Sequence, residues 1–216
     1  MNNKQELWKQ STAYIFWGVL AYEVLGIVSG IVASVESASN LMSLLRGGGG
    51  SPSIGTILCS IGVIAGYVFF FLGIMKFSGA VDEKDVPYIN KIKKAVICAL
   101  CGAAFGMIPA FGAIIGWIFN LVAQILFLIA YNNLRKSTTF PSLEGAQKLF
   151  VASVLSLVGA CLSFIPAVNP ILSFISMIFM LIGWNKIRTA ELPAEAAPAA
   201  ETPAVETPAV ESAESK

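Results

Sequence analysis

The 216-residue chain contains no histidine, which excludes the commonest metal ligand, general base and pH-sensitive side chain together. Charged residues are also scarce, since they make up 12% of the chain against about 25% in soluble domains. Hydrophobic residues make up 56%, and the mean hydropathy is +0.75. This composition is typical of integral membrane proteins and predicts the lipid bilayer as the surroundings of the chain.

Catalytic motifs are missing as well. The sequence has no His-Glu-x-x-His, no Gly-x-Ser-x-Gly and no Ser–His pairing. The glycine run at 47–50 lacks the Lys-Ser/Thr pair that a phosphate-binding loop needs. No nucleic-acid-binding motif is present either. We therefore expect a protein that is not an enzyme and that holds neither a metal nor a cofactor.

Long uncharged runs predict an all-α, polytopic membrane helix bundle. Residues 1–10 are polar, and the predicted transmembrane domain covers 11–189. Its six predicted spans are at about 11–35, 54–75, 92–108, 112–131, 149–164 and 171–185. The first run is about twice as long as the core of a secretory signal, which favours an uncleaved span over a signal peptide.

The composition changes abruptly at residue 190. Residues 190–216 are rich in Pro and Ala, contain six Glu and repeat Glu-Thr-Pro-Ala-Val. Such a segment buries too little apolar surface to offset the entropy of ordering, so we expect a disordered tail. This tail would serve either as a solubilising end of the chain or as a docking segment for a partner.

Two of the predicted helices resemble each other. Residues 108–136 and 165–188 both begin with Ile-Pro-Ala and end with an aromatic residue, an Asn and a basic residue. The segment at 72–76 resembles their closing part. We interpret the six spans as three helical hairpins, 1+2, 3+4 and 5+6, with chance similarity of apolar strings as the alternative.

The basic residues define a topology. In a six-span arrangement every Lys and Arg except Arg46 falls on one side of the membrane. The positive-inside rule then places both termini in the cytoplasm. The short loops favour a bacterial cytoplasmic membrane. The run Lys91, Lys93 and Lys94 is either this topology signal or a site for anionic lipid headgroups.

Glu23 is the only acid well inside a predicted span. A carboxylate at that depth costs about 2.5–3.5 kcal/mol on insertion scales, so we expect it to face the bundle and to be largely protonated. Asn120 and Gln124 lie at a similar predicted depth in the fourth span. We expect these three residues to form an intramembrane polar cluster, either a proton- or solute-coupling site or a polar contact that fixes helix register.

Four spans carry Gly-x-x-x-Gly, a spacing that lets helix backbones approach closely. The pairs are Gly26/Gly30, Gly62/Gly66, Gly102/Gly106 and Gly112/Gly116. We expect them to pack helices within one chain, with a homo-oligomer interface as the alternative.

The four cysteines are Cys59, Cys98, Cys101 and Cys161. Cys98 and Cys101 have the spacing of a redox motif, but they lie inside an apolar run, so small packing residues are the favoured interpretation.

Two functions remain open. The first is a non-enzymatic packing or assembly protein of the membrane, with a second copy or another membrane protein as partner. The second is a small-solute or proton-coupled transporter or channel that uses Glu23 with Asn120 and Gln124. A continuous polar cavity that reaches Glu23 would favour transport, and a filled bundle would favour packing.

Overall fold

The computed structural model describes residues 3–45, 54–106, 108, 111–162 and 168–192. Within these ranges the regular structure is entirely helical: α1 (Asn3–Leu45), α2 (Ile54–Phe77), α3 (Val86–Gly106), α4 (Phe111–Leu134), α5 (Leu143–Cys161) and α6 (Val168–Thr189). Five of the helices are long and apolar enough to cross a membrane. The exception is α3, because Lys91, Lys93 and Lys94 interrupt its apolar stretch. The predicted all-α, membrane-type architecture is confirmed to this extent.

The helices extend beyond the predicted spans. Helix α1 continues to Leu45, ten residues past the predicted end at 35. Helix α5 begins at Leu143, where the Ser142 hydroxyl accepts a hydrogen bond from the Gly145 amide at 3.3 Å and caps the helix. The glycine run at 47–50, most of the predicted tail, residues 109–110 and residues 163–167 lie outside the described residues. At the start of the predicted tail, Ala190 and Leu192 pack against the core.

The helices form a closed ring. Each helix packs antiparallel against its neighbour in the chain, most extensively in the pairs α1–α2, α3–α4 and α5–α6, and α6 returns to α1. The α1–α6 contact includes a hydrogen bond from Trp8 Nε1 to the Ile187 carbonyl at 3.2 Å. Among the described helices no other pair has closely approaching backbones, so α1 lies across the ring from α4.

Burial repeats with fixed spacing along α2, α4 and α6. The last five buried positions of α2 match those of α4 at an offset of 57 (66 to 123), and those of α6 at a further 53 (123 to 176). These positions are Gly66, Phe70, Gly73, Ile74 and Phe77; Ala123, Phe127, Ala130, Tyr131 and Leu134; and Ser176, Met180, Gly183, Trp184 and Ile187. A five-point match in each helix means that all three present corresponding faces to the centre of the ring.

The other three helices show a matching pattern. The buried stripe of α1 recurs in α3 at an offset of 77 (15 to 92), and the α3 stripe recurs in α5 at an offset of 57 (92 to 149). The stripes are Trp8, Thr12, Ile15, Val19 and Tyr22; Asp85, Ile89, Ile92, Val96 and Ala99; and Ser142, Ala146, Leu149, Ser153 and Ser156, of which only Ser156 is half-buried. The offsets from the first pair to the second are 77 for α1–α3 and 57 for α2–α4, and those from the second to the third are 57 for α3–α5 and 53 for α4–α6.

Equivalent contacts also join one helix pair to the next. Arg135 lies over the Phe150 ring at 3.7 Å, and Arg188 lies over the Phe16 ring at 5.2 Å. The corresponding positions between the first and second pairs hold Ser78 and Lys93, and there Lys93 Nζ donates to Ser78 Oγ at 2.9 Å. We call these three contacts the seams. A cation lies at each seam and bridges two helix pairs.

The large buried side chains gather at one end of the ring. We call this the basic end; it holds the start of α1 and the ends of α2, α4 and α6, with Lys76, Arg135 and Arg188. A column of touching rings fills it, with Trp8 on Phe77 at 4.8 Å, Phe77 near Trp184 at 6.1 Å and Trp184 near Phe70 at 5.9 Å between ring centroids. Beyond Tyr22 and Gly66 lies the apolar half, in which the described large hydrophobic side chains are half-buried or exposed.

Candidate functional site

Glu23 lies at the boundary between the filled basic end and the apolar half. It follows Tyr22, the last member of the buried stripe of α1. Nine residues separate it from Tyr14, whose ring carries Lys76 Nζ at 4.8 Å, so Glu23 is roughly 13 Å deeper than that charged layer. A bilayer core is about 30 Å thick, which places the Glu23 carboxyl near its middle.

Three phenol groups lie within electrostatic range of this carboxyl, those of Tyr22, Tyr67 and Tyr131. No described basic residue pairs with Glu23. In the described part of the chain the ion pair joins Lys186 and Glu144, at the basic end. The Glu23 carboxyl therefore has phenol neighbours but no cationic partner.

Two tyrosines form one wall of the site. The rings of Tyr22 and Tyr67 stack with centroids 4.3 Å apart and an interplanar angle of 8°. The Tyr22 hydroxyl also points to the sulfur of Met180, a weak acceptor, at 3.9 Å. Side chains from α1, α2 and α6 thus meet beside Glu23.

Tyr131 and Trp184 contribute polar atoms that lack a hydrogen-bond partner. Both side chains are 0% exposed, and their rings meet edge to face with centroids 6.4 Å apart. The two polar atoms are close enough to interact, yet neither Tyr131 Oη nor Trp184 Nε1 makes a hydrogen bond of good geometry. A buried polar group without a partner costs about 1–3 kcal/mol. The centre of the bundle therefore retains hydrogen-bonding capacity that the described side chains do not use.

The structure does not bring Glu23 together with Asn120 and Gln124. Asn120 is exposed, and its Nδ2 donates to the Gly116 carbonyl of its own helix at 3.0 Å. The physical reason is the ring order, which places α1 opposite α4. Gln124 occupies in α4 the position that Tyr67 has in α2, at the offset of 57. A similar depth along the helices does not fix the position of a residue around the ring.

The Gly-x-x-x-Gly residues divide into two groups. A Cβ atom at Gly66 would meet the Tyr22 backbone amide at 2.6 Å, and one at Gly62 would meet Leu25 at 2.5 Å. A Cβ atom at Gly102 would lie 2.9 Å from Asn120 Nδ2 and 3.0 Å from the Gly116 carbonyl oxygen, and one at Gly112 would meet Phe105 and Ile108. At Gly26 and Gly30, in contrast, no atom lies within 4 Å of a Cβ position. Gly106 lies in the last turn of α3.

Four further glycines make close contacts that the motif search missed. Gly18 faces Phe70 and Gly66, while Gly73 faces Ser11 and Ile15. Gly145 and Gly183 face each other across α5 and α6. A Cβ atom at Gly145 would lie 2.9 Å from the Gly183 carbonyl oxygen, and one at Gly183 would lie 3.0 Å from the Gly145 carbonyl oxygen. None of them belongs to a Gly-x-x-x-Gly pair. They could have been found from the helical periodicity of the buried positions, because each lies on the buried face of its helix.

The cysteines are free thiols. Cys59, Cys98 and Cys101 are half-buried and Cys161 is exposed. Among the described residues, no group of three or more His, Cys, Asp or Glu side chains is placed to hold a metal ion. The redox interpretation of Cys98 and Cys101 therefore still depends on their spacing in the sequence alone.

No family model, curated protein or solved structure matches this chain. The function must therefore be argued from the site itself. Its parts are one carboxyl, three phenols and an indole N–H, in contact with apolar rings. Such a set can bind a proton or a cation and can hydrogen-bond a small polar group.

Proposed function

We propose that the protein is a non-enzymatic, multi-pass membrane protein of the bacterial cytoplasmic membrane that serves in packing or assembly. The observation that carries this proposal is the filled column of rings at the basic end. Trp8, Phe77, Trp184 and Phe70 occupy the axis along which a solute would have to pass. A filled bundle agrees with an assembly role, because an aqueous path needs polar lining.

Within this proposal, the six helices span the membrane as three repeated hairpins. The matching burial patterns and the three seams support this arrangement. The short apolar part of α3 is then completed by the stems of Lys93 and Lys94, whose charged ends reach the headgroups. The repeated unit is a helix pair, and three units close the ring.

The basic end is proposed to face the cytoplasm, as the positive-inside rule requires. This orientation is testable with single cysteines in a background that lacks the four native ones. Lys84→Cys lies in the exposed segment before α3, and Ile108→Cys lies at the opposite end. A membrane-impermeant thiol reagent added to intact cells should label the second variant and not the first. Labelling of the first alone would reverse the orientation.

The assembly proposal is tested by native mass spectrometry after extraction in a mild detergent. A fixed homo-oligomer or a defined complex with another membrane protein is the expected result. A lone protomer that remains monomeric when reconstituted in lipid nanodiscs would contradict the proposal.

A second candidate function is proton- or solute-coupled transport through Glu23. It is favoured by a specific observation: the uncompensated carboxyl is within electrostatic range of Tyr131, whose hydroxyl, like Trp184 Nε1, lacks a hydrogen-bond partner. Transport would require the ring column to open during a cycle. Proteoliposomes that contain the protein should then show Glu23-dependent proton movement, and Glu23→Gln should abolish it. Equal proton leak in the two preparations would remove this candidate.

A further inference from the structure

The Glu23 carboxyl lacks the cation that its position calls for. Membrane-embedded carboxylates pair with a cation or remain protonated. Here the neighbours are the phenols of Tyr22, Tyr67 and Tyr131, and no described basic side chain pairs with it. A bound cation would supply the missing charge.

The neighbouring rings suit an organic cation. Aromatic faces attract cations within about 6 Å, and cages of such rings bind alkylated ammonium groups. The chain already uses this contact at its basic end, where Lys76, Lys148, Arg135 and Arg188 each lie over an aromatic ring. Near Glu23 the Tyr22 and Tyr67 rings are stacked, and among the described residues no basic side chain lies over either ring.

There is space on the approach to the site. Gly26 lies one turn beyond Tyr22, on the same line of α1 as the buried Val19, and a Cβ atom there would meet nothing within 4 Å. The side chains beyond it on α1, Val28 and Ile31, are exposed and apolar. A ligand that arrives through this half must therefore be apolar apart from its charge.

A hard metal cation fits the site less well. Ca²⁺ and Mg²⁺ need about six oxygen ligands to replace their water shells, whereas this site offers one carboxyl and a few phenols. The described residues contain no cluster of carboxylates or thiols that would complete a metal shell. A large organic cation loses little hydration on transfer, so a single counter-charge and several ring faces suffice.

We propose that Glu23 and the stacked rings of Tyr22 and Tyr67 bind a lipophilic organic cation that enters from the apolar half of the bundle. Glu23 supplies the charge, the tyrosines supply ring faces, and Gly26 leaves the approach open. The inference deepens the second candidate function by naming its substrate class. It requires only binding, so it stands or falls separately from transport.

The test is equilibrium binding of tetraphenylphosphonium to the purified full-length protein in detergent. The native protein should bind saturably with one site per chain. Glu23→Gln should lower the affinity at least tenfold, and Tyr67→Leu should lower it about three- to tenfold by removing a ring. Gln124→Leu is the matched control, because it changes the equivalent position of the second helix pair and should leave binding unchanged.

Glu23→Leu provides a second variant in case the glutamine variant fails to fold. The equivalent positions of α3 and α5 hold Leu100 and Leu157, so leucine is already compatible with this place in the helix pair. Unchanged affinity in a folded Glu23 variant, or no saturable binding by the native protein, would overturn the inference. Binding without uptake in proteoliposomes would support it while removing the transport candidate.

Discussion

Two glycines with the same sequence context should respond oppositely to one added methyl group. Gly66 and Gly26 each belong to a Gly-x-x-x-Gly pair inside an apolar helix. A Cβ atom at Gly66 would lie 2.6 Å from the Tyr22 amide nitrogen and 2.9 Å from the Tyr22 Cβ. Neither atom can move without displacing α1. At Gly26 the same atom would have no neighbour within 4 Å.

The expected difference follows from two terms. Replacing glycine by alanine inside a helix stabilises it by roughly 0.8–1 kcal/mol, and this gain applies to both variants. Overpacking against the backbone costs about 1–3 kcal/mol and applies only to Gly66→Ala. The helix term cancels in the comparison, so Gly66→Ala should be less stable than Gly26→Ala by about 1–3 kcal/mol. For a chain of this size that corresponds to roughly 2–12 °C in Tm.

The assay is thermal unfolding of both variants in one detergent, followed by tryptophan fluorescence. Native protein measured in parallel gives the reference, and Gly26→Ala should match or exceed its Tm. Equal losses in the two variants would refute the reasoning from contacts. A larger loss in Gly26→Ala would mean that the space beside Gly26 is filled in the detergent particle.

Three further outcomes follow from the core and the seams. Trp184→Phe should change stability by less than Trp184→Ala, which should cost about 3–5 kcal/mol in chemical unfolding, because the indole N–H has no partner to lose while the ring fills the column. Ser176→Ala should cost about 0.6–1.7 kcal/mol in the same measurement, since Ser176 bonds both Ser156 at 2.7 Å and a backbone carbonyl at 2.8 Å. Arg188→Gln should cost about 0.5–2 kcal/mol, and Phe16→Leu should remove most of that difference in a double-mutant cycle.

Much of the fold could be inferred from the sequence, because bilayer physics acts on whole segments. A run of some twenty apolar residues predicts a helix without reference to its neighbours. The prediction was least complete at α1, where the predicted span ends at residue 35 before a polar stretch with serines and Glu36, although the helix continues to Leu45. Local composition does not fix the end of a helix when no proline or capping signal interrupts it.

The site could be inferred only in part, because contacts around a ring depend on helix order. Glu23 was identifiable from its cost in hydrocarbon, but its neighbours Tyr22 and Tyr67 were not. Tyrosine is a common interfacial residue in membrane helices, so an alignment of phenols with a carboxyl leaves no distinct sequence pattern. The predicted pairing with Asn120 was based on depth along the helices, which can be counted from the sequence. The positions of α1 and α4 around the ring cannot be read from the sequence, and they place the two helices opposite each other.

The internal repeat bears on whether Glu23 serves the fold or a ligand. A polar contact that the fold needed would be expected to recur, as the seams recur between all three helix pairs. The positions equivalent to Glu23 instead hold Leu100 and Leu157, which are half-buried like Glu23 itself. Two of three helix pairs therefore pack at this place without a carboxyl. The polar group lies beside the only Tyr–Tyr stack of the described structure, in a single pair of an otherwise matched frame. Such a departure from an internal repeat places a cost on one helix pair without a packing gain, which favours an interaction with something outside the chain.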